Sequence, residues 1–115
     1  MNFGSEASDY PEESVGVNYI AAKGAVRALT RGLALEWGRY GITVNTVWPV
    51  ASTPPHKVWA ERNPDVAAGH LERTALHRFG DPFEDIAPVV EFLLSEDARF
   101  VTGTTVPANG GRAMP

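Results

Sequence analysis

The stretch NYIAAKGAVRALTRGLALEWGRY, residues 18–40, predicts one amphipathic helix with a reactive pair near its start. Tyr19 and Lys23 are four residues apart, so on a helix they lie one turn apart on the same face. An ammonium group held close to a phenol stabilises the phenolate form. The pair therefore predicts a tyrosine that can donate or accept a proton nearer neutral pH. The alternative is two surface residues on a solvated helix face.

The rest of this helix has two apolar faces. The first is predicted to face the core, because its members follow the three-four spacing of a buried stripe. They are Ala22, Val26, Leu29, Leu33 and Trp37. The second is a row of small residues that would let another backbone approach closely. They are Ala21, Ala25, Ala28 and Gly32. This row predicts packing against a neighbouring helix, which belongs either to a second subunit or to the same chain.

The composition is that of a single domain without covalent cross-links. The chain has 115 residues and no cysteine, so neither a disulfide framework nor a thiolate metal site is available. It has no basic segment with an apolar run at its start and no apolar stretch that could span a bilayer, which predicts a cytoplasmic protein without a membrane partner. A net charge of −4 with scattered arginines argues against nucleic-acid binding. His56, His70 and His77 lack metal-ligand spacing, so we expect solvated histidines and no metal site.

Strand signals flank the helix. Residues 1–3 have the character of a strand end and run into a polar loop. Residues 42–48 are rich in β-branched side chains and predict a buried strand that ends at Pro49. Gly41 alone separates this strand from the helix, at a position that favours a left-handed C-cap. A helix joined so closely to a short apolar strand is half of a parallel βαβ unit, so we expect an α/β fold.

The second half of the chain is less uniform. Residues 50–80 are irregular, with only short helix signals. Asp81 and Pro82 predict the start of another helix, as N-cap and first helical residue. Residues 104–107 predict a short last strand, and Asn-Gly-Gly at 109–111 predicts a tight bend after it.

Four motifs occur in order along the chain. They are Tyr-x-x-x-Lys at 19–23, Asn-x-Val-x-Pro at 45–49, Phe-Gly-Asp-Pro opening a helix at 79–82, and Thr-Gly, a strand and Asn-Gly-Gly at 102–111. In this order they resemble the short-chain dehydrogenase/reductase family. The resemblance implies the C-terminal part of a doubly wound parallel-sheet, Rossmann-like domain whose N-terminal half is missing, because no Gly-rich phosphate-binding turn occurs in these residues.

The resemblance divides residues 1–115 into four regions of one partial domain. They are a catalytic helix at 17–40, a strand and cofactor loop at 42–53, a substrate lid at about 54–80, and a C-terminal helix and strand at 81–111. The implied reaction interconverts a small-molecule alcohol and a ketone or aldehyde with NAD or NADP as cofactor. A complete form is expected to be a homodimer or a homotetramer.

The resemblance also implies roles for single residues. Tyr19 would be the general acid/base, Lys23 would bond the nicotinamide ribose and favour the phenolate, and Ser5 would hydrogen-bond the substrate oxygen. Tyr19 and Lys23 would also contact the cofactor, together with the loop residues Pro49, Val50, Ser52 and Thr53. Hydride would pass between the cofactor and the substrate carbon.

The chain departs from the family pattern at several points. Ser5 lies one residue further from Tyr19 than is usual, so Ser8 is an alternative, and Val50 stands where the family has glycine. The Tyr19–Lys23 spacing argues against the enoyl-reductase branch of the family. Since the nucleotide-binding segments are absent from these residues, a second interpretation is a truncated, catalytically inactive fragment that acts only in packing or oligomerisation.

Overall fold

The computed structural model describes residues 1–114 and contains a three-stranded parallel sheet. Strand β1 is Asn2–Phe3, β2 is Thr46–Pro49 and β3 is Thr105–Ala108, and they lie in the order β1-β2-β3. Thr46 pairs with Asn2 on one side and with Thr105 on the other. Strand β2 is therefore the central strand, and the expected α/β fold with a parallel sheet is confirmed.

The long helix α1, Val17–Trp37, continues into a 3-10 turn at Gly38–Tyr40. The chain leaves this turn through Gly41, whose φ of 74° lies in the left-handed region that glycine adopts without strain. The predicted helix, with a glycine closing its carboxyl end, is confirmed.

The face of α1 that packs on the sheet differs from the predicted core stripe. Thr30 and Ala34 are the buried residues of the helix, whereas Leu29 is 56% exposed. The stripe predicted from apolar spacing is therefore wrong for Ala22, Leu29 and Trp37, which are exposed, whereas Val26 and Leu33 are partly buried. The neighbouring row of small residues is exposed as well, and a Cβ added at Gly32 would meet nothing within 4 Å among residues 1–114.

A polar network explains the orientation of α1. The Thr30 hydroxyl accepts hydrogen bonds from Asn2 Nδ2 at 2.9 Å and from Thr46 Oγ1 at 2.8 Å. It donates to Val26 O, one turn earlier, at 2.9 Å. Because Thr30 and Thr46 are buried, these bonds must be satisfied inside the protein, and they hold α1 against β1 and β2.

Strand β2 is shorter than predicted. The sequence favoured a strand from Ile42, but the ladder begins at Thr46. The buried Asn45 explains the difference, since its side chain donates to Val101 O at 2.7 Å and accepts from Thr104 N at 3.3 Å. These side-chain bonds hold residue 45 to the loop before β3, while its carbonyl oxygen still accepts a hydrogen bond from Asn2 N of β1 at 2.8 Å.

The segment 50–80 is more regular than the sequence suggested. It contains helices α2, Pro54–Arg62, and α3, Pro64–Glu72. Both begin with proline, which suits the first helical position because its missing N–H would have no partner there. Thr53 caps α2 by accepting a hydrogen bond from His56 N at 3.4 Å.

The helix predicted to start at Asp81 and Pro82 is present, but its first turn is irregular. The Asp81 carboxylate accepts hydrogen bonds from the first free amides, which confirms it as the N-cap. A π-helical turn, Pro82–Ile86, leads into α4, Ala87–Leu94. Leu93 of this helix packs with Val47 of β2 in the core.

The chain turns back sharply after β3. Gly110 and Gly111 have φ values of 63° and 77°, so the predicted bend is confirmed. A Cβ at Gly110 would lie 2.9 Å from the Thr74 side chain, and at Gly111 it would lie 2.9 Å from Ala75 Cβ. Both glycines therefore serve conformation and close approach, and they direct the last residues back over the end of the sheet.

Candidate active site

Three loops meet at one edge of the sheet. The strands are parallel, so their carboxyl ends lie at the same edge, where open α/β sheets bind their ligands. Gly4 and Ser5 follow β1, Val50 follows β2 and Asn109 follows β3. The predicted serine and the predicted cofactor loop therefore come from neighbouring strand ends.

Tyr19 and Lys23 lie beside this edge on the first turns of α1. Lys23 Nζ is 5.6 Å from the centroid of the Tyr19 ring. The same ammonium group donates a hydrogen bond to Phe3 O at 2.9 Å, which holds it at the carboxyl end of β1. Tyr19 itself is 45% exposed. The structure thus places a positive charge beside an accessible phenol.

Ser5 and Tyr19 line the same cavity of about 310 Å³. Ser5 Oγ accepts a hydrogen bond from Ala7 N at 3.2 Å, which fixes the serine at the start of a short 3-10 turn. Ser8 is not among the residues that line this cavity, and its hydroxyl donates to Ser5 O at 2.8 Å. Of the two serines, Ser5 is the one that shares a cavity with Tyr19.

The predicted cofactor loop forms an adjoining cavity of about 290 Å³ through Pro49 and Val50, with Ser5 on the shared wall. Its backbone is largely paired within the chain. Val50 N donates to Ala108 O at 3.0 Å, and Ser52 N donates to Gly80 O at 2.8 Å. Ser52 and Thr53 do not line either cavity, because the chain turns away into α2.

Aromatic rings line these cavities, and two of them, Trp59 of α2 and His70 of α3, line both. The Trp59 and His70 rings are stacked with centroids 5.4 Å apart, and His56 lies 5.4 Å from Trp59 and 4.4 Å from Phe79. His56 Nδ1 is buried without a hydrogen-bond partner among the described residues. The prediction of solvated histidines is therefore wrong for His56 and His70, because helices α2 and α3 turn them towards the strand ends. His77 is exposed, as predicted.

A cluster of ion pairs forms another part of the cavity wall, and no local sequence pattern indicated it. Arg112 Nε lies 3.1 Å from Glu6 Oε1, and Arg112 Nη2 lies 2.7 Å from Glu12 Oε1. Glu12 also pairs with Arg73 at 3.3 Å. Asn109 Nδ2 donates to Glu6 Oε2 at 2.9 Å. The only available signal was the Asn-Gly-Gly bend, which returns the chain end to the loop after β1.

Charge and burial shift the titration of this cluster. Burial alone would raise the pKa of Glu12, but the hydrogen bond and charge of Arg112, with Arg73 and His70, lower it below its usual value. Burial lowers the pKa of His70, and the charge of Arg112 lowers it further. The pKa of His56 is lowered in the same way. These shifts favour the ionised form of Glu12 and the neutral forms of His56 and His70.

Comparison with known proteins identifies related chains. A family model described as enoyl-(acyl carrier protein) reductase matches residues 2–113. An "inactive 2-(S)-hydroxypropyl-CoM dehydrogenase 2" of Xanthobacter autotrophicus is 44% identical over 96% of this chain and 49% of its own length. A 2,3-dihydroxy-2,3-dihydro-p-cumate dehydrogenase of Pseudomonas putida is 41% identical over 84% of this chain and 37% of its own length.

Solved structures give the same result. The crystal structure of a 3-oxoacyl-[acyl-carrier protein] reductase from Brucella melitensis with bound NAD superposes with a TM-score of 0.86. It is 35% identical, and the match covers 99% of this chain and 40% of that one. The chain thus spans less than half the length of each of these proteins. Within residues 1–114, no helix has the length and apolar character needed to cross a bilayer.

Proposed function

Since this chain belongs to the short-chain dehydrogenase/reductase family, we propose that it provides the catalytic part of a nicotinamide-dependent oxidoreductase that interconverts an alcohol and a ketone or aldehyde. The observation that carries the proposal is the shared cavity of Ser5 and Tyr19, with Lys23 one helical turn away. These are the hydroxyl, phenol and ammonium groups that the family resemblance requires. The relatives named above as dehydrogenases or as a reductase support the same reaction class.

The residues at the strand ends fit the nicotinamide end of NAD or NADP. Lys23 offers a cation beside the sheet edge, and Thr53 offers a hydroxyl at the start of α2. Because the amides of Val50 and Ser52 are already paired, the contacts we propose inside the cavity are the apolar surfaces of Pro49 and Val50. The hydroxyls of Ser52 and Thr53 lie outside both cavities, so we propose them for a part of the cofactor that extends beyond these cavities. When bound, the cofactor would supply or accept the hydride.

The chain's own groups would handle the proton and the substrate oxygen. The Tyr19 hydroxyl would donate its proton to a carbonyl oxygen, or accept one from an alcohol, because it is exposed to the cavity. The Ser5 hydroxyl would hydrogen-bond the same oxygen and orient it towards Tyr19. The Lys23 ammonium group would stabilise the phenolate that remains after proton donation.

The family model's description would allow reduction of a carbon–carbon double bond instead. We favour the alcohol–carbonyl reaction, because the close Tyr19–Lys23 spacing resembles the branch of the family that carries it out. A second candidate is a non-catalytic protein, and a specific observation favours it. One relative, 44% identical, is named inactive.

The test is a fusion in which this chain replaces the matching part of the Pseudomonas putida relative, so that a complete nucleotide-binding half is present. We expect the fusion to oxidise an alcohol, and the reaction is measured as an increase in the absorbance of NADH or NADPH. Tyr19→Phe should lower turnover by about 100-fold or more, the scale of general acid–base catalysis. The matched control is Tyr40→Phe, because Tyr40 is an exposed tyrosine in the turn after α1. Turnover of the Tyr19→Phe variant close to that of Tyr40→Phe would contradict the proposal, and a fusion inactive on every alcohol would favour the non-catalytic candidate.

A further inference from the structure

The ion pairs between the chain end and the loop after β1 form part of the wall of the Ser5–Tyr19 cavity. Glu6, Glu12 and Arg112 line it together with Trp59 and His70. We infer that this cavity selects a neutral substrate with a second hydroxyl group and rejects one with an anionic group at that position. The inference rests on the function proposed above and adds the substrate class.

The cation of the cavity wall is already paired. Arg112 is the arginine of this cavity wall, and a free arginine would be a natural partner for a carboxylate or phosphate. Its guanidinium group is instead shared between Glu6 at 3.1 Å and Glu12 at 2.7 Å, and its side chain is only 13% exposed. An anion would have to displace a carboxylate that is already in contact. The positive charge is therefore not available to a substrate.

The other charged groups of this cluster do not offer a free cation either. Two carboxylates face Arg112, and the second balancing charge comes from Arg73, which lies on the outer side of Glu12 with its side chain 56% exposed. His70 Nε2 lies 3.5 Å from Glu12 Oε2, and burial keeps the pKa of this histidine low. Among the residues that line the cavity, Glu6 and Glu12 are both in contact with Arg112, so an anionic group would meet two carboxylates and no free cation of the wall, which is unfavourable.

The carboxylates of the wall can still accept hydrogen bonds. A carboxylate has about four lone-pair directions, so Glu6 and Glu12 keep acceptor capacity beyond the bonds they make here. A substrate hydroxyl can donate to that capacity without breaking an ion pair. The stacked Trp59 and His70 rings provide an apolar surface for the carbon skeleton between the two hydroxyl groups. A diol satisfies both parts of this wall.

The experiment compares two probes with the same carbon skeleton, butane-1,3-diol and 3-hydroxybutyrate, in which a hydroxymethyl group replaces a carboxylate. Binding to the full chain is followed by NMR through the Trp59 indole N–H, assigned with Trp59→Phe. We expect the diol to bind about tenfold or more tightly than the acid, a difference of about 1.4 kcal/mol. Glu12→Gln should reduce this ratio by about tenfold, because it releases Arg112 and Arg73 from one negative charge.

The matched control is Glu91→Gln, since Glu91 is an exposed glutamate on α4 and should leave the ratio unchanged. Equal or tighter binding of the acid to the unsubstituted chain would overturn the inference. So would a Trp59 signal that responds to neither probe, or an equal change in the ratio for both variants. These outcomes concern binding alone. The dehydrogenase proposal would instead be contradicted by a fusion without turnover, or by a Tyr19→Phe substitution that leaves turnover unchanged, so the two failures can be told apart.

Discussion

Replacement of Thr30 by valine removes the hydroxyl that holds α1 against the sheet, while the side chain keeps its shape. Thr46 Oγ1, which is fully buried, and Asn2 Nδ2 would each lose their acceptor. At about 1–1.5 kcal/mol for each stranded donor, the loss is about 2.5 kcal/mol. The added methyl group returns about 0.8 kcal/mol through burial. We therefore expect Thr30→Val to lower the free energy of unfolding by about 2 kcal/mol.

Thr30→Ser is the matched control, because it keeps the oxygen and removes only the methyl group. Its expected cost is about 1 kcal/mol, the scale of one lost buried methyl. For a chain of this length 1 kcal/mol corresponds to about 4 °C in Tm, so calorimetry should find decreases of about 8 °C for valine and about 4 °C for serine. Thr46→Val combined with Thr30→Val should cost less than the two single changes added together, since the stranded donor is gone. A Thr30→Val chain as stable as Thr30→Ser would refute the reasoning.

Three further predictions concern pH, the ion-pair cluster and assembly. Acidification from pH 7.5 to 5.5 should lower the free energy of unfolding measured with urea. The pKa values of His56 and His70 are below the usual 6.5 in the folded chain, so the unfolded chain binds more protons in this range. The stability that is present above pH 6.5 is therefore lost as the pH falls through the pKa values of the folded chain. A free energy of unfolding that does not change with pH would contradict this prediction. Arg112→Met should lower the free energy of unfolding by about 2–3 kcal/mol, because it leaves Glu6 and Glu12 without their shared partner. The control is Arg62→Met, at an exposed arginine of α2, which should lower it by less than about 0.5 kcal/mol. We also propose that the complete protein is a homodimer or homotetramer whose subunits meet at the exposed small-residue row of α1. Ala28→Arg should then lower the mass measured by light scattering. An unsubstituted complete protein with the mass of one subunit would contradict this proposal.

The sequence was sufficient for those parts of the fold that local rules determine. The long helix, the left-handed Gly41, the Asp81 cap and the Gly110–Gly111 bend each depend on a few adjacent residues, and the structure contains all of them. The parallel sheet was predicted from the short connection in sequence between α1 and β2. The family resemblance also identified Tyr19 and Lys23, and the structure brings these two side chains together.

The remaining features depend on contacts between residues far apart in sequence. Apolar spacing predicted Leu29 as a core residue of α1. Hydrogen bonds from Asn2 and Thr46 to Thr30 instead orient the helix with Thr30 towards the sheet. Spacing rules do not include such a polar network. In the same way, His70 appeared isolated in the sequence, because its neighbours Trp59 and Glu12 come from other segments. The cluster around Arg112 could not be predicted from local pattern, since its partners lie about 100 positions away.

That separation has a kinetic consequence. The contacts that close the cavity join positions that are 103 and 100 residues apart, as in Asn109 with Glu6 and Arg112 with Glu12. Closing a loop of about 100 residues costs about 4 kcal/mol of chain entropy, and such non-local contacts form slowly. Helix α1 and its turn can form as soon as they are synthesised, but Ser5 and Tyr19 gain their common wall only after residue 112 has left the ribosome. We therefore expect refolding measured through helix content to be faster than refolding measured through the environment of Trp59.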